Sequence, residues 1–351
     1  MNKTLLAIIP LTLALATASG PTRAEEPAAS LTTPGAETTP ATLLQRQDVQ
    51  QFLKEMVKKH AFKMDELQPL FEQVMLRPDI IEAITRPAEA KPWYEYRKIF
   101  MTEKRIAGGV EFWDQHQDLL AKAELEYGVP AEIIVAIIGV ETQYGRQRGK
   151  YRVMDALATL AFDFPPRSPF FRKELEEFLL MAREEQVDPL ALLGSYAGAM
   201  GQPQFMPSSF RSYAVDFDQD GKRDLWDTPA DVIGSVAHYM KTHGWEKGQP
   251  IVVAASHDAP PAAELIAKGL KPHVTIKHLA TLGIKPQDEL PASTRAALIE
   301  LQLAEGSEYW LGLNNFYVIT RYNRSPLYAM AAIQLGAEVK TRRLSKITPA
   351  P

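Results

Sequence analysis

One segment of this 351-residue chain constrains the fold more than any other: an almost wholly apolar run that begins at Pro130 and ends at Glu141. A helix that is apolar on all sides has to be buried, and Pro is well suited to its first position. Ile134, Ile137 and Ile138 precede Glu141 by seven, four and three positions, so they share its helix face. The sequence therefore predicts a buried helix that ends on a carboxyl group at an apolar edge.

Two influences are expected to raise the pKa of the Glu141 carboxyl. Apolar surroundings disfavour the charged form, and the partial negative charge of a helix C-terminus opposes ionisation. A carboxylic acid that stays protonated near neutral pH can act as a general acid. The alternative interpretation is a Glu that reaches water from a helix end, and this motif alone leaves both open.

The N-terminal residues follow the order of a secretory signal peptide. A basic residue precedes an apolar run from Leu5 to Ala16, small residues follow, and cleavage is predicted after Ala24. The run is too short for a comfortable membrane span, and Pro10 interrupts it. We therefore expect a signal peptide over residues 1–24 and a soluble protein exported to the periplasm.

The chain contains no cysteine. We expect the exported protein to be held together by its core without disulfides, and to lack the N-terminal lipid anchor of bacterial lipoproteins. Catalysis by cysteine is excluded, and the seven histidines show no zinc-ligand spacing. The net charge of -4 gives no overall basic excess, so a nucleic-acid partner is not expected.

Composition divides the remaining chain into five parts. Residues 25–42 are rich in Pro, Ala, Thr and Glu, which indicates a disordered linker. Helical spacing of apolar residues predicts a helical domain over 43–127 and a catalytic core over 128–247. Short β-branched patterns predict a small β domain over 248–313, and 314–345 returns to helix. The predicted fold class is mainly α (α+β).

Individual elements are also predicted. The predicted helices include 106–127, 170–185, 188–196 and 228–244, the predicted strands are 250–254, 273–277 and 296–302, and 310–317 is a weaker strand prediction.

The segment from Gly194 to Ser209 combines glycines with polar and apolar side chains. Glycine lets a ligand approach the backbone closely. Ser195 and Gln204 supply hydrogen-bonding groups, and Phe205 supplies apolar surface. This mixture suits an amphipathic ring such as a sugar, and a Gly-rich connection between helix and loop is the alternative.

A third segment matches the calcium loop of an EF-hand. Aspartates stand at loop positions one, three and five, and glycine at six. The candidate ligands are Asp216, Asp218, Asp220, the backbone carbonyl of Lys222, Asp227 and Asp231. Asp227 stands at position twelve, where a longer Glu is usual, and Asp231 is the alternative closing ligand. We expect a structural Ca²⁺, with a solvated acidic turn as the alternative.

Three motifs in chain order resemble the lytic murein transglycosylase B family, glycoside hydrolase family 103, which has membrane-bound and soluble periplasmic forms. They are Glu141-Thr142-x-x-Gly145, the run from Gly198 to Pro207, and the acidic loop. The resemblance covers about residues 43–335. It implies a lysozyme-like helical core with a helical N-terminal domain, an EF-hand-like calcium loop and a small β domain.

The resemblance also implies residue roles. Glu141 would be the catalytic residue, and Asp216, Asp218, Asp220 and Asp231 would be the calcium ligands. The saccharide-binding residues would be Tyr96, Arg167, Ser195, Gln204, Phe205, Tyr322, Asn323 and Tyr328. One departure is Pro166 before Arg167, where the family has a second Arg.

The implied reaction cleaves the β-1,4 bond between MurNAc and GlcNAc of peptidoglycan without water and leaves a 1,6-anhydroMurNAc end. One carboxyl would act as acid and then as base, whereas ordinary glycosidases use two carboxyl groups. The alternatives are a hydrolytic muramidase on the same scaffold and a non-catalytic, calcium-stabilised peptidoglycan-binding protein. Glycan strands are the expected partner of a monomer, with cell-wall synthesis proteins as candidate further partners.

Overall fold

The computed structural model describes residues 43–86, 91–258, 261 and 263–347. The predicted signal peptide and linker lie outside the described residues. The helices are α1 (Gln47–His60), α2 (Met64–Phe71), α3 (Pro78–Thr85), α4 (Trp93–Phe100), α5 (Glu103–Gln115), α6 (Gln117–Tyr127), α7 (Ala131–Thr142), α8 (Val153–Asp163), α9 (Ser168–Glu184), α10 (Pro207–Tyr213), α11 (Pro229–Thr242), α12 (Ala263–Ala267), α13 (Ile276–Thr281), α14 (Asn314–Tyr322) and α15 (Pro326–Ile347). The strands are β1 (Tyr151–Arg152), β2 (Leu193–Gly194), β3 (Val252–His257), β4 (Val274–Thr275), β5 (Ile284–Pro286), β6 (Arg295–Gln302) and β7 (Ser307–Gly312).

Helix α7 lies at the centre of the main core. All of its residues except Glu132 and Glu141 are buried. Helices α5, α6, α11 and α15 pack around it, which accounts for an apolar surface on every side. The predicted buried helix is therefore confirmed.

The small sheet is antiparallel, with strand order β4-β6-β7-β3-β5. Neighbouring side chains on a strand point to opposite faces. On β6, Ile299 and Leu301 belong to the main core, whereas Ala296 and Leu298 belong to a second, smaller core. Because both faces of β6 are covered, its apolar run is nearly continuous.

Several predicted elements are wrong in place or type. Residues 188–196 are not helical: the Asp188 side chain accepts a hydrogen bond from the backbone N–H of Leu190 at 2.9 Å, a local turn that competes with helix. The predicted helix 106–127 is divided at His116. The predicted strand 273–277 is shortened to β4, because α13 begins at Ile276. The weaker strand prediction falls on β7 and the start of α14.

After the sheet, α14 and α15 return to the main core and bring two tyrosines with them. Tyr322 ends α14, and Tyr328 lies in the first turn of α15. Helix α15 packs along α7, so it approaches the helix that carries Glu141. No helix within the described ranges has both the length and the apolarity needed to cross a membrane.

Candidate active site

Glu141 occupies the last turn of α7, and the chain leaves the helix abruptly behind it. Gln143, Tyr144 and Gly145 have φ angles of 50°, 61° and 81°. Left-handed conformations are costly for residues with a Cβ, and they persist only where the surroundings hold them. We call residues 143–145 the exit turn. Its conformation fixes where α7 stops and therefore where Glu141 lies.

Tyr144 anchors the exit turn in the core. Its hydroxyl donates to the backbone carbonyl of Arg105 at 3.0 Å. A Cβ built on Gly109 or Gly139 would lie 2.5 Å from the Tyr144 hydroxyl oxygen, which is too close for any side chain. The two glycines therefore make room for a tyrosine that holds the turn after Glu141.

Three tyrosines, the tyrosine cluster, surround the Glu141 carboxyl: Tyr96, Tyr322 and Tyr328. The Tyr328 hydroxyl donates to Oε1 of Glu141 at 2.6 Å. The Tyr322 ring stacks on the Tyr328 ring, with 6.5 Å between centroids and 9° between planes. The Tyr322 hydroxyl donates to the Pro203 carbonyl at 2.5 Å, which ties the cluster to the Gly-rich segment.

These surroundings set the protonation of Glu141. Burial raises the pKa of its carboxyl from 4.5 to about 7, while the Tyr328 hydrogen bond opposes that rise. Burial, and secondarily the nearby Glu141 charge, also raise the pKa of Tyr96 and Tyr328 above the tyrosine range. The Glu141 side chain is nevertheless partly exposed. Glu141 is therefore an acid whose pKa lies near neutral pH and whose side chain is accessible to a bound molecule.

The two acids that next follow Glu141 in the sequence, Asp155 and Asp163, have structural partners instead. Buried Asp155 accepts from Arg152 at 2.7 Å and from the backbone N–H of Met75 at 3.0 Å. Asp163 pairs with Arg46. The described residues therefore place neither of them as a second catalytic carboxyl.

The Gly-rich segment folds back on itself beside the tyrosine cluster. The Ser195 hydroxyl accepts from the backbone N–H of Ala199 at 3.0 Å, so it shapes the loop. Phe205 is only 2% exposed and its ring lies 5.8 Å from that of Tyr322. Gln204 is half-buried, with φ of 53°, and its side-chain amide donates to the Gly201 carbonyl at 2.9 Å. Phe205 thus supports the cluster from behind, while Gln204 retains a partly exposed amide.

Two further predicted sugar contacts lie at different places. The Arg167 guanidinium lies over the rings of Phe170 and Phe171, at 4.5 and 5.2 Å from their centroids, and burial lowers its pKa. Asn323 caps the end of α14. Its side-chain oxygen is buried without a hydrogen-bond partner among the described residues, so the residue after Tyr322 carries an unsatisfied acceptor.

The acidic loop brings three carboxylates together. One oxygen each from Asp216, Asp218 and Asp231 lie within 4.8 Å of one another. Asp231 is buried, and its two oxygens accept from the backbone N–H groups of Phe217 and Asp224 at 2.8 and 2.7 Å. Burial, and then the charges of Asp218 and Asp216, raise its pKa to about 6. Such a donor set of hard oxygens fits a Ca²⁺ ion.

The remaining candidate ligands lie outside this group. The Asp227 side chain is 78% exposed and pairs with Arg148 at 2.7 Å, so the geometry favours Asp231 as the closing ligand. Asp220 accepts from the backbone N–H of Lys222 at 2.9 Å and its backbone N–H donates to Asp216. These contacts shape the loop without bringing its carboxylate into the group.

Sequence reasoning missed two residues at this site, Thr142 and Gln202. The Thr142 hydroxyl donates to the Gln202 backbone carbonyl at 2.8 Å and accepts from the Gly145 N–H at 3.0 Å. Both residues stand inside motifs that the sequence singled out. Their buried hydrogen bonds join distant segments, which local sequence patterns do not report.

Comparison with known proteins places this geometry in a family. Residues 44–337 match the family described as "Transglycosylase SLT domain". The chain belongs to this family. It is 48% identical over 307 residues to membrane-bound lytic murein transglycosylase B of Escherichia coli (strain K12), covering 85% of this chain and 84% of that protein.

Solved structures extend the likeness to the fold. The catenated lytic transglycosylase SltB1 of Pseudomonas aeruginosa is 54% identical with a TM-score of 0.82, covering 85% of this chain and 98% of that chain. Escherichia coli Slt35 in complex with calcium is 49% identical with a TM-score of 0.79, covering 85% and 94%. The predicted fold class, a mainly helical lysozyme-like fold with a small sheet, is confirmed.

Proposed function

We propose that this protein is a lytic transglycosylase that cleaves the β-1,4 bond between MurNAc and GlcNAc in peptidoglycan. The observation that carries the proposal is Glu141, a reachable carboxyl with a pKa of about 7 whose Oε1 accepts from Tyr328. The family match and the named relatives support the same reaction class.

The geometry suits a single carboxyl that works twice. With Oε1 engaged by Tyr328, the proton resides on Oε2 and passes to the glycosidic oxygen as the bond from C1 breaks. The resulting carboxylate then accepts the proton of the C6 hydroxyl as O6 bonds to C1. The 1,6-anhydro ring forms, the leaving sugar keeps the first proton, and Glu141 ends protonated again. No water is consumed.

The tyrosine cluster contributes to both halves of the cycle. Its rings exclude water from one side of Glu141 and keep the neutral acid favourable before cleavage. The Tyr328 hydroxyl stabilises the carboxylate that exists between the two proton transfers, since a hydrogen bond to a charged acceptor is stronger than one to a neutral acceptor. Tyr328 thus lowers the free energy needed to ionise the Glu141 carboxyl.

We also propose that the acidic loop binds Ca²⁺ through Asp216, Asp218 and Asp231. The donor geometry and the calcium complex of Slt35 support this assignment. The ion would offset two of the three negative charges and brace the loop against the start of α11. Asp220 and the Lys222 carbonyl remain candidate additional ligands, as the EF-hand pattern predicts.

The proposed place of action is the periplasm, where a peptidoglycan substrate lies. The predicted signal peptide supports this, and the unanchored state stays a prediction based on the absence of cysteine. The Escherichia coli relative is described as membrane-bound, so its relation to the membrane differs from the one predicted for this chain.

Product mass tests the reaction. Purified sacculi incubated with the enzyme should release muropeptides that end in 1,6-anhydroMurNAc, lighter by one water than hydrolytic products. Muropeptides with reducing MurNAc ends would instead establish a hydrolytic muramidase. Binding to sacculi with no soluble product would establish a non-catalytic binding protein.

A further inference from the structure

Gln202 lies between the acidic loop and the Glu141 helix, and it hydrogen-bonds to both. Its backbone N–H donates to the Leu225 carbonyl at 2.8 Å, and its side-chain amide donates to the Trp226 carbonyl at 3.0 Å. Its backbone carbonyl accepts from Thr142, the residue after Glu141, at 2.8 Å. Gln202 therefore connects the acidic loop directly to the helix that carries Glu141.

The connection continues to the candidate metal ligands. The Asp224 backbone N–H donates to Asp231, and the Asp224 carboxylate accepts from the Trp226 N–H at 2.8 Å. Trp226 is therefore two hydrogen bonds from Asp231, through Asp224, and one from Gln202. Four hydrogen bonds thus connect Asp231 with the Thr142 hydroxyl, by way of Asp224, Trp226 and Gln202.

Packing around Gln202 is tight enough to transmit such a change. Gln202 is 8% exposed. A Cβ on Gly145 would lie 2.9 Å from the Gln202 side-chain carbon, and a Cβ on Gly201 would lie 2.4 Å from the Leu225 carbonyl oxygen. Well-packed interiors transmit displacement because they have few voids to absorb it.

We propose that Gln202 is a positioning residue that couples calcium in the acidic loop to the placement of Glu141 for proton transfer. This inference rests on the proposed calcium site. With calcium bound, the loop holds the backbone of residues 225 and 226. That backbone holds Gln202, and Gln202 holds Thr142, which fixes the end of α7. Without the ion, the loop is held less firmly, and so are the contacts from residues 225 and 226 through Gln202 to Thr142.

The test compares kcat and KM in excess calcium and in excess EDTA, with a separate calorimetric titration of Ca²⁺. For the wild type we expect calcium to raise kcat by about tenfold with little change in KM, since small misplacements of a catalytic group cost large factors in rate. Gln202→Met keeps the side-chain length but cannot donate to the Trp226 carbonyl. It should bind Ca²⁺ and yet show the low kcat in both conditions.

Glu185→Gln is the matched control. Glu185 holds the same loop from the other side, because it pairs with the Arg223 guanidinium and accepts from the Arg223 N–H. This variant loosens the loop without touching Gln202, so calcium should still raise its kcat. Equal responses to calcium in Gln202→Met and the wild type, or no response in the wild type, would overturn the coupling.

A second pair covers the case in which Gln202→Met does not fold. Thr142→Val removes the hydroxyl at nearly constant volume and should abolish the kcat response, whereas Thr142→Ser should restore it. The alkaline limb of the kcat–pH profile should also move with calcium in Thr142→Ser and stay fixed in Thr142→Val. Absence of heat in the calcium titration would refute the calcium site, while the product masses would still decide the reaction.

Discussion

Glu141 and Asp231 are both buried or half-buried carboxyl groups with raised pKa values, about 7 and about 6, and burial is the main cause in each. Their surroundings differ in kind. Glu141 stands at the C-terminal end of α7 among tyrosines, where the helix dipole disfavours a negative charge. Asp231 stands in the first turn of α11 beside two other aspartates, where the dipole favours one.

The comparison shows that burial alone does not decide what a carboxyl group does. The neighbours of Glu141 are neutral, so its carboxyl is more stable with its proton than as a charged carboxylate. Two backbone N–H donors stabilise the Asp231 carboxylate, whereas the negative charges of Asp218 and Asp216 beside it oppose its ionisation. Glu141 is surrounded by neutral tyrosines, whereas Asp231 lies among carboxylates, an arrangement that fits the proposed metal ion.

The largest expected effect comes from Glu141→Gln, which keeps the shape of the side chain and removes its acid and base chemistry. We expect kcat on sacculi to fall by at least about 10³-fold, within the range of general acid–base catalysis. Co-sedimentation with sacculi should be unchanged. Anhydro-muropeptide release near the wild-type rate would show that Glu141 is not the proton donor.

Asp231→Asn tests the other side of the comparison. Loss of one buried carboxylate should abolish calcium binding by calorimetry and remove the increase in Tm that calcium gives the wild type. Ligand at about 100 times its Kd stabilises a folded protein by about 2.7 kcal/mol, so the lost shift is measurable. Asp227→Asn is the control and should keep the shift; the opposite ranking would make Asp227 the closing ligand.

Tyr328→Phe should have an intermediate effect. It removes the hydroxyl that donates to Glu141 and keeps the ring that stacks on Tyr322. Since that hydrogen bond lowers the Glu141 pKa, the alkaline limb of the kcat/KM–pH profile should move upward, and kcat should fall by about tenfold. Tyr94→Phe, on the same helix as Tyr96, should leave the profile in place.

The last expected effect is on stability rather than on rate. Folded Glu141 has a pKa raised from 4.5 to about 7, so between these values the folded state retains a proton that the unfolded state has lost. The associated stability is complete below pH 4.5 and is lost as pH rises to 7, with a magnitude on the order of 3 kcal/mol. Urea unfolding of Glu141→Gln should lack this decline, and equal pH dependence in both proteins would contradict the raised pKa.

The sequence predicted the parts of the molecule that depend on local patterning. The apolar spacing before Glu141 predicted a buried helix, which the structure confirms; the metal loop predicted from alternating aspartates stays a prediction. It failed where side chains compete with the backbone, as at Asp188, whose turn replaces a predicted helix. Ser195 and Phe205 are buried and make internal contacts, which sequence patterns did not report, and their role as sugar contacts stays a prediction.

The Gln202 bridge was beyond sequence reasoning for a different reason. A glutamine beside a glycine carries no pattern that distinguishes a buried link from a surface side chain. Its role depends on three segments that meet only after folding: the end of α7, the Gly-rich segment and residues 225–226. The family resemblance located the surrounding motifs, but the contacts between them can be seen only in the folded structure.

The hydrogen bond between Tyr328 and Glu141 spans 187 residues of chain. During synthesis, Glu141 is therefore made long before Tyr328, whose hydrogen bond lowers its pKa. A chain that stops between the two residues has the acid without this hydrogen bond. Contacts of such long range also form late, because a large loop must close first. For a protein that cuts peptidoglycan, full activity therefore has to wait until the segment that carries Tyr328 has been made and folded.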